Sequence, residues 1–333
     1  MIEPERDEER AAMSDRDGEK AGPEGNGDGR EGADAPLEPP AHARIDVLYR
    51  VFAVKKAMPP LETLLKRLTG GNPYNPPEGG YVFPPGAGMR RLQDALGASP
   101  DYFVMGYHRE EAPTLWEELA AAYPAEAPGF DDDDHLIVRN ANLCVVIRAQ
   151  LVNPEDNMYL ETLCHLADAF RDLQRGVVWD VRMGRIWGER EWADVMQAPL
   201  SPLSHVQVER SGEGPERILR TRGLVKFGSP ELEVKGGPAH LEREIEGMLL
   251  DAAHAAMRGD IFEPDEAIEV HGARLRAVAV EHDEQGAVRR LRLVDDPGPE
   301  AEHVDPERGM QQGFKALQAA REAIEGKRWE WQW

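Results

Sequence analysis

The run TRGLVKFGSPELEVKGG, residues 221–237, has the glycines and lysines that a phosphate-binding loop would need. Such a loop presents consecutive backbone N–H groups at the start of a helix, and its Walker form reads GxxxxGK[ST]. Gly223 and Gly228 have the matching separation, but Ser229 and Pro230 follow where Lys and Ser or Thr belong. Because proline has no N–H group to donate, the run is predicted to be a structural turn.

The structural interpretation also accounts for more of the residues in this run. Gly223 ends a predicted strand, and LVKF forms a turn with Leu224 and Phe227 directed inward. A half-exposed strand follows, in which two apolar side chains alternate with charged ones: Leu232 and Val234 with Glu231, Glu233 and Lys235. The glycines then serve chain reversal, and no anion is required.

Metal binding is the next chemistry to consider, because the chain has 10 histidines and 62 acidic residues. The spacings match no zinc motif: HExxH and HxH are missing from the sequence. His240 with Glu244, and Asp251 with His254, are pairs on a predicted helix and supply only half a site each. We therefore predict no metal and no cofactor.

Nucleophilic catalysis could use Cys164, or Ser204 beside His205, but neither lies in a known nucleophile motif. His165 follows Cys164 on a predicted helix and therefore points about 100° away from it. Cys164 is predicted to pack in the core. With Cys144 as the only other cysteine, no disulfide framework is expected, which favours a reducing compartment, the cytoplasm.

Asp180 is the carboxylate of greatest interest, since it ends the apolar strand VVWDV. An ion pair or a turn explains it as well as acid-base catalysis does. The enzymatic alternative is a hydrolase or small-ligand-binding enzyme whose pocket lies beneath the Pro-rich loop at 72–88. Its candidate catalytic residues are Asp180, His205, Arg222 and Lys226.

Seven tryptophans divide into two groups. Those at 116, 179, 187 and 192 lie in or beside predicted elements and are expected in the core. The other three belong to the ending KRWEWQW, which alternates as a terminal strand would when it lays one aromatic face on a sheet. An exposed aromatic patch for a partner is the alternative for this ending.

Charge excludes several classes of function. Lys and Arg number 39 against 62 Asp and Glu, a net charge of -23, which repels nucleic acids and anionic lipids. No stretch is long and apolar enough to span a membrane, and MIEPERDEERAAM does not read as a signal peptide. Residues 1–43 carry 13 acidic and 5 basic side chains and few large apolar ones, which predicts a disordered acidic tail.

Strands and helices alternate irregularly, with clear hairpins, so we predict an α+β fold of mixed or antiparallel sheets with packed helices. One globular region, 44–333, is expected, with a weak candidate boundary near 200 at APLSPLS. The predicted strands are 45–54, 101–107, one long strand or hairpin over 135–152, 177–181 with 186–187, 205–210, 217–223 and 273–283 with 287–296. The predicted helices are 61–68, 89–96, 114–123 capped by Thr114, 153–176 capped by Asn153 and stopped by Gly176, one starting over 189–195, 241–257 and 307–325. The acidic run 131–134 is predicted to be a surface turn.

One pattern resembles known sequences. GVVWDVRMGRIWGEREW followed by TRGLVKFGSPELEV, within residues 154–258, resembles a bacterial family of uncharacterised cytoplasmic domains. The resemblance implies an intracellular α+β domain and no activity or site residues. The function expected from the sequence is therefore non-enzymatic: binding of a basic protein partner, as an immunity or accessory factor.

Overall fold

The computed structural model describes residues 44–68, 102–123, 129–152, 156–270, 272–284, 286–298 and 304–330. The predicted tail 1–43, the Pro-rich loop 72–88 and the helix at 89–96 lie outside these ranges. Within them, seven helices and two sheets form an α+β fold, which confirms the predicted class. No helix of this part of the chain is long and apolar enough to cross a membrane.

The first sheet has the strand order β2-β3-β1-β4-β5, and all of its pairs are antiparallel. Its strands are β1 (Arg44–Ala53), β2 (Tyr102–His108), β3 (Leu143–Val152), β4 (Gly176–Asp180) and β5 (Arg185–Trp187). Alternation along β1 sends Val47, Tyr49 and Val51 to one face and Phe52 to the other. Both faces are therefore covered.

The second sheet has the order β6-β7-β8-β11-β10-β9, with β8 and β11 as its one parallel pair among the described strands. Its strands are β6 (Gln207–Ser211), β7 (Ile218–Arg222), β8 (Glu231–Lys235), β9 (Ala267–Val270), β10 (Ala273–His282) and β11 (Val288–Asp295). The predicted hairpins β6-β7 and β10-β11 are confirmed.

The helices cover these sheets. They are α1 (Leu61–Leu68), α2 (Pro113–Ala122), α3 (Asp132–Asn140), α4 (Met158–Gln174), α5 (Glu189–Gln197), α6 (Glu242–Met257) and α7 (Gln311–Glu330). One buried apolar cluster runs from the inner face of β1 through α4 to the second sheet and α6. A smaller cluster joins the outer face of the first sheet to α2 and α3.

The acidic run 131–134 is the clearest error of local prediction. Asp131 is the N-cap of α3, and its carboxylate accepts hydrogen bonds from the backbone N–H groups of Asp133 and Asp134. Acidic residues stabilise this end of a helix because it carries partial positive charge. The expected strand or hairpin over 135–152 is therefore wrong in its first part, since residues to Asn140 are helical and the strand begins at Leu143.

Three helix ends also differ from prediction. Thr114 is no cap: Ala112 precedes α2, with Pro113 in its first turn. Helix α4 begins at Met158, and Asn153 lies outside the described residues. Arg175, in the left-handed region at φ 54°, closes α4 and leaves Gly176 to open β4.

The chain ending was also predicted wrongly. Helix α7 continues to Glu330, so residues 327–330 are not a strand, while 331–333 lie outside the described part. The other tryptophan expectation is confirmed, because Trp116, Trp179, Trp187 and Trp192 are all buried.

A candidate site around Lys226 and the surface clefts

The loop between β7 and β8 is a short 3-10 helix, Leu224–Phe227, entered at Gly223 and left at Gly228. Both glycines have positive φ, 119° and 76°, which side chains disfavour. This tight turn directs Leu224 and Phe227 into the core, as predicted. It also directs Lys226 inward, which the interpretation of this run as a structural turn did not predict.

The donors of this loop are occupied by the protein itself. The Glu231 carboxylate accepts from the backbone N–H of Gly223 at 2.8 Å and from the hydroxyl of Thr221 at 2.8 Å. The N–H groups of Leu224 and Val225 also face it and act to lower its pKa. Burial raises the pKa of Glu231 against these bonds. The loop is thus a nest for an oxyanion, and that oxyanion is an internal carboxylate rather than a phosphate.

Lys226 forms a fully buried ion pair with Asp180. The distance from Nζ to Oδ2 is 2.5 Å, and both side chains are 0% exposed. Asp180 ends β4, and its second oxygen accepts from the backbone N–H of Met183 at 2.9 Å. The pair joins the first sheet to the β7-β8 loop of the second sheet. It thus connects residues on either side of the candidate domain boundary near 200, and that boundary stays a prediction.

His205 completes this buried cluster. Its Nε2 lies against the carbonyl of Pro199, so it carries the proton and donates there, leaving Nδ1 as an acceptor. Nδ1 lies 3.3 Å from Lys226 Nζ and 3.4 Å from the Tyr49 hydroxyl. Burial and then the charge of Lys226 lower the pKa of His205 to about 3, so the imidazole is neutral at physiological pH.

Tyr49 and Cys164 border the same cluster, with 3.5 Å between the hydroxyl and the thiol. Burial raises the pKa of the Cys164 thiol to about 12 and that of Tyr49 well above its usual value. Sequence reasoning overlooked Tyr49. Its position on the apolar face of β1 between Val47 and Val51 was the available signal, because a tyrosine hydroxyl in a core usually finds a polar partner.

Three of the four sequence candidates therefore meet: Asp180, His205 and Lys226. Arg222 does not join them. Its guanidinium pairs with Glu209 at 2.8 Å, and its side chain is 41% exposed. General acid-base catalysis requires a substrate within hydrogen-bond reach of the titrating group. The cluster is sealed, with no exposed side chain among Asp180, His205 and Lys226, so in this conformation its effect is structural.

The cysteines provide a direct measurement of this closure. We expect neither Cys164 nor Cys144 to react with a disulfide reagent in the folded protein at about pH 8. Burial keeps the reagent away from both sulfur atoms, and it keeps both thiols protonated, whereas only the thiolate reacts. Both pKa values are raised to about 12, chiefly by burial. Reaction would be followed by absorbance, with guanidinium-unfolded protein as the control that reacts. Rapid labelling of Cys164 in the native state would show instead that the cluster opens to solvent.

Within the described residues, neither half-site for metal gains a further ligand. The His240 carbonyl accepts from Arg321 at 2.7 Å, and Glu244 pairs with Arg321 at 3.5 Å. Across the described ranges, no group of three or more His, Cys, Asp or Glu side chains could hold a metal ion.

The prediction of a half-exposed strand at β8 is corrected in one respect. Glu233 was expected on the exposed side, but its side chain is buried and pairs with Arg292 at 2.7 Å.

An acidic cleft lies beside the edge of the second sheet. Its volume is about 590 Å³, and its charged lining is Asp260, Glu263 and Glu266. Apolar walls come from Ile261 and Phe262, among other residues. No described cation lies within ion-pair distance of Asp260 or Glu263. Strand β9 borders this cleft and is the last strand of its sheet, paired only with β10 in the described part.

In comparisons with known proteins, no family model, curated protein or solved structure matches the chain. The resemblance within residues 154–258 therefore remains a prediction.

Proposed function

We propose that the protein acts without catalysis, in the cytoplasm, by binding a basic segment of a partner protein, as an immunity or accessory factor would. The observation that carries this proposal is the acidic cleft beside β9, in which Asp260 and Glu263 have no cationic partner among the described residues. Their charge and the apolar wall at Phe262 suit a chain that alternates cationic and apolar side chains.

The edge of the sheet supports the same mode of binding. The outer edge of β9 is not paired with any described strand, and an extended peptide can add to such an edge through backbone hydrogen bonds. A β-strand of the partner would then place every second side chain on the acidic side. The net charge of -23 adds long-range attraction for a basic partner.

The enzymatic alternative receives less support from the geometry. Its proposed pocket would need Asp180, His205, Lys226 and Arg222 around an open space, whereas the first three are fully buried and Arg222 pairs elsewhere. The surface cleft, by contrast, is open to a macromolecule. A binding role is thus the function that the geometry supports best.

The test uses a synthetic peptide of alternating lysine and valine, with binding measured by fluorescence anisotropy at low and high salt. Replacing both Asp260→Asn and Glu263→Gln is expected to weaken binding roughly three- to tenfold, because each exposed charge pair contributes up to about 1 kcal/mol. The wild-type affinity should fall as salt rises.

The matched control removes the same charge elsewhere. Glu246 and Asp251 are exposed on α6 and lie outside the lining of the cleft. Glu246→Gln with Asp251→Asn should leave the affinity almost unchanged. An equal loss in both double variants would mean that net charge alone attracts the peptide, and binding that is indifferent to salt would contradict the electrostatic basis of the proposal.

A further inference from the structure

A second cleft has the opposite charge. It encloses about 540 Å³ on the outer side of the first sheet. Among the described residues, its charged lining is three arginines, Arg109, Arg139 and Arg175, without an aspartate or glutamate. They come from the loop after β2, the last turn of α3 and the C-cap of α4. Segments distant in sequence thus bring three cationic groups to one cavity.

This concentration of positive charge is unusual for the chain. Carboxylates outnumber cations by 62 to 39, and most described arginines form ion pairs with them, as the partly buried Arg292 does with Glu233. Arg109 and Arg139 have no described carboxylate within ion-pair distance. Arg175 pairs with Asp133, and the Arg175 side chain is 61% exposed and the Asp133 side chain 50% exposed. Water weakens such an exposed pair.

The position of Arg175 is fixed by its backbone. Its φ of 54° is in the left-handed region, where a residue with a side chain is strained. The N–H of Arg175 donates to the carbonyl of Arg171, and its carbonyl accepts from Val54 at 3.2 Å. Strained non-glycine residues that the surroundings hold in place often occur at binding sites. Here the strained residue lies in the wall of the basic cleft.

The remaining lining is partly apolar and partly amide. Val54, Leu136 and Ile137 supply hydrocarbon surface, and Leu136 is 51% exposed, a large apolar side chain open to the cavity. Asn140, which ends α3, and Asn142, just before β3, add polar groups to the lining. A small organic molecule with an anionic end would contact both kinds of surface.

We propose that this cleft binds a small organic oxyanion, whose phosphate or carboxylate groups are held by Arg109, Arg139 and Arg175. Guanidinium groups match both oxyanions through paired, charge-assisted hydrogen bonds. The apolar part of the ligand packs on Val54 and Leu136. A nucleic acid is disfavoured as the source of the phosphate, because the net charge of -23 repels a polyanion.

The experiment is calorimetric titration of the full chain with inorganic phosphate and, in a separate arm, with citrate, at constant ionic strength set by sodium chloride. We expect saturable binding of one equivalent of at least one probe. Arg109→Gln and Arg139→Gln should each weaken it about tenfold or more, since hydrogen bonds between charged groups are among the strongest in proteins. Tighter binding of phosphate would identify a phosphorylated ligand, and tighter binding of citrate a polycarboxylate.

The control substitution is Arg190→Gln, at an exposed arginine on α5 that does not line the cleft. Its affinity for the probes should equal that of the wild type, and the melting temperatures of all variants should agree, because Arg109 and Arg139 are also exposed. The proposal is overturned if neither probe saturates, or if Arg190→Gln weakens binding as much as the substitutions in the cleft. Failure here leaves the acidic cleft and its peptide test unaffected.

Discussion

Asp180→Asn is expected to lower the free energy of unfolding by about 3–5 kcal/mol, because it leaves the charge of Lys226 buried without its counterion. An asparagine has the same shape, and its carbonyl oxygen can still accept the hydrogen bond that Met183 N–H now gives to Oδ1. Its NH2 group then faces the Lys226 ammonium, so two donors meet where Oδ2 now accepts. Since both partners are 0% exposed, solvent cannot take the place of the missing carboxylate.

Urea unfolding monitored by tryptophan fluorescence would measure this loss. The matched control is Glu242→Gln, which breaks a surface ion pair with Arg210. The distance from Arg210 Nη1 to Glu242 Oε1 is 3.0 Å, and the arginine side chain is 60% exposed. That change should cost less than about 1 kcal/mol. A similar small cost for Asp180→Asn would contradict a sealed cluster, since it would mean that water reaches Lys226.

A double variant separates the missing charge from lost packing. Asp180→Asn combined with Lys226→Met removes both charges, and it should recover most of the stability that the single change loses. Methionine has a similar length and an apolar body, so the space beside Tyr49 and His205 stays filled. Lys226 Nζ also lies over the Tyr49 ring, 6.0 Å from its centroid. If the double variant were less stable than Asp180→Asn, the ammonium group would itself be stabilising through His205 and this ring.

Gly223→Ala is expected to destabilise the fold by about 2–5 kcal/mol, through backbone strain together with overpacking. The φ of 119° disfavours any side chain, and an added Cβ would lie 2.1 Å from the backbone carbonyl oxygen of His205. That oxygen cannot move without displacing the turn that places the His205 imidazole beside Lys226. The effect would be measured as a shift of the urea midpoint at unchanged slope.

Two other glycines separate the contributions to this effect. Gly214 also has a positive φ, 54°, but an added Cβ there meets no atom within 4 Å, so Gly214→Ala should cost only about 1–2 kcal/mol. Gly247 lies inside α6 with equally open surroundings, and Gly247→Ala should stabilise the protein by about 0.5–1 kcal/mol. Equal losses of stability at Gly223 and Gly214 would show that the backbone relieves the clash between the added Cβ and the His205 carbonyl oxygen at no cost in free energy.

Local patterns were sufficient for most of the architecture. Crowded β-branched and aromatic residues in IDVLYRVFAV predicted a buried strand, and the turn SGEGPE predicted the first hairpin. Alternation over 273–296 predicted the second hairpin, because a strand with one buried face repeats every two residues. Spacing of leucines predicted α1, and the glycines of residues 221–237 were correctly assigned to a turn. The local pattern failed at the apolar run HLIV, which is compatible with a helix or a strand and was predicted as a strand. The run is helical, because Asp131 caps the start of α3.

The sequence by itself thus determined the α+β class, the net charge and the structural use of the glycine-rich run. Only the tertiary structure decided that Lys226 is buried against Asp180 and His205, that Glu231 fills the nest of the loop, and that three arginines share one cleft with Val54. The reason is physical. Periodicity shows which side of an element is apolar, but the partner of a buried charge is fixed by contacts between segments far apart in the chain, which folding brings together.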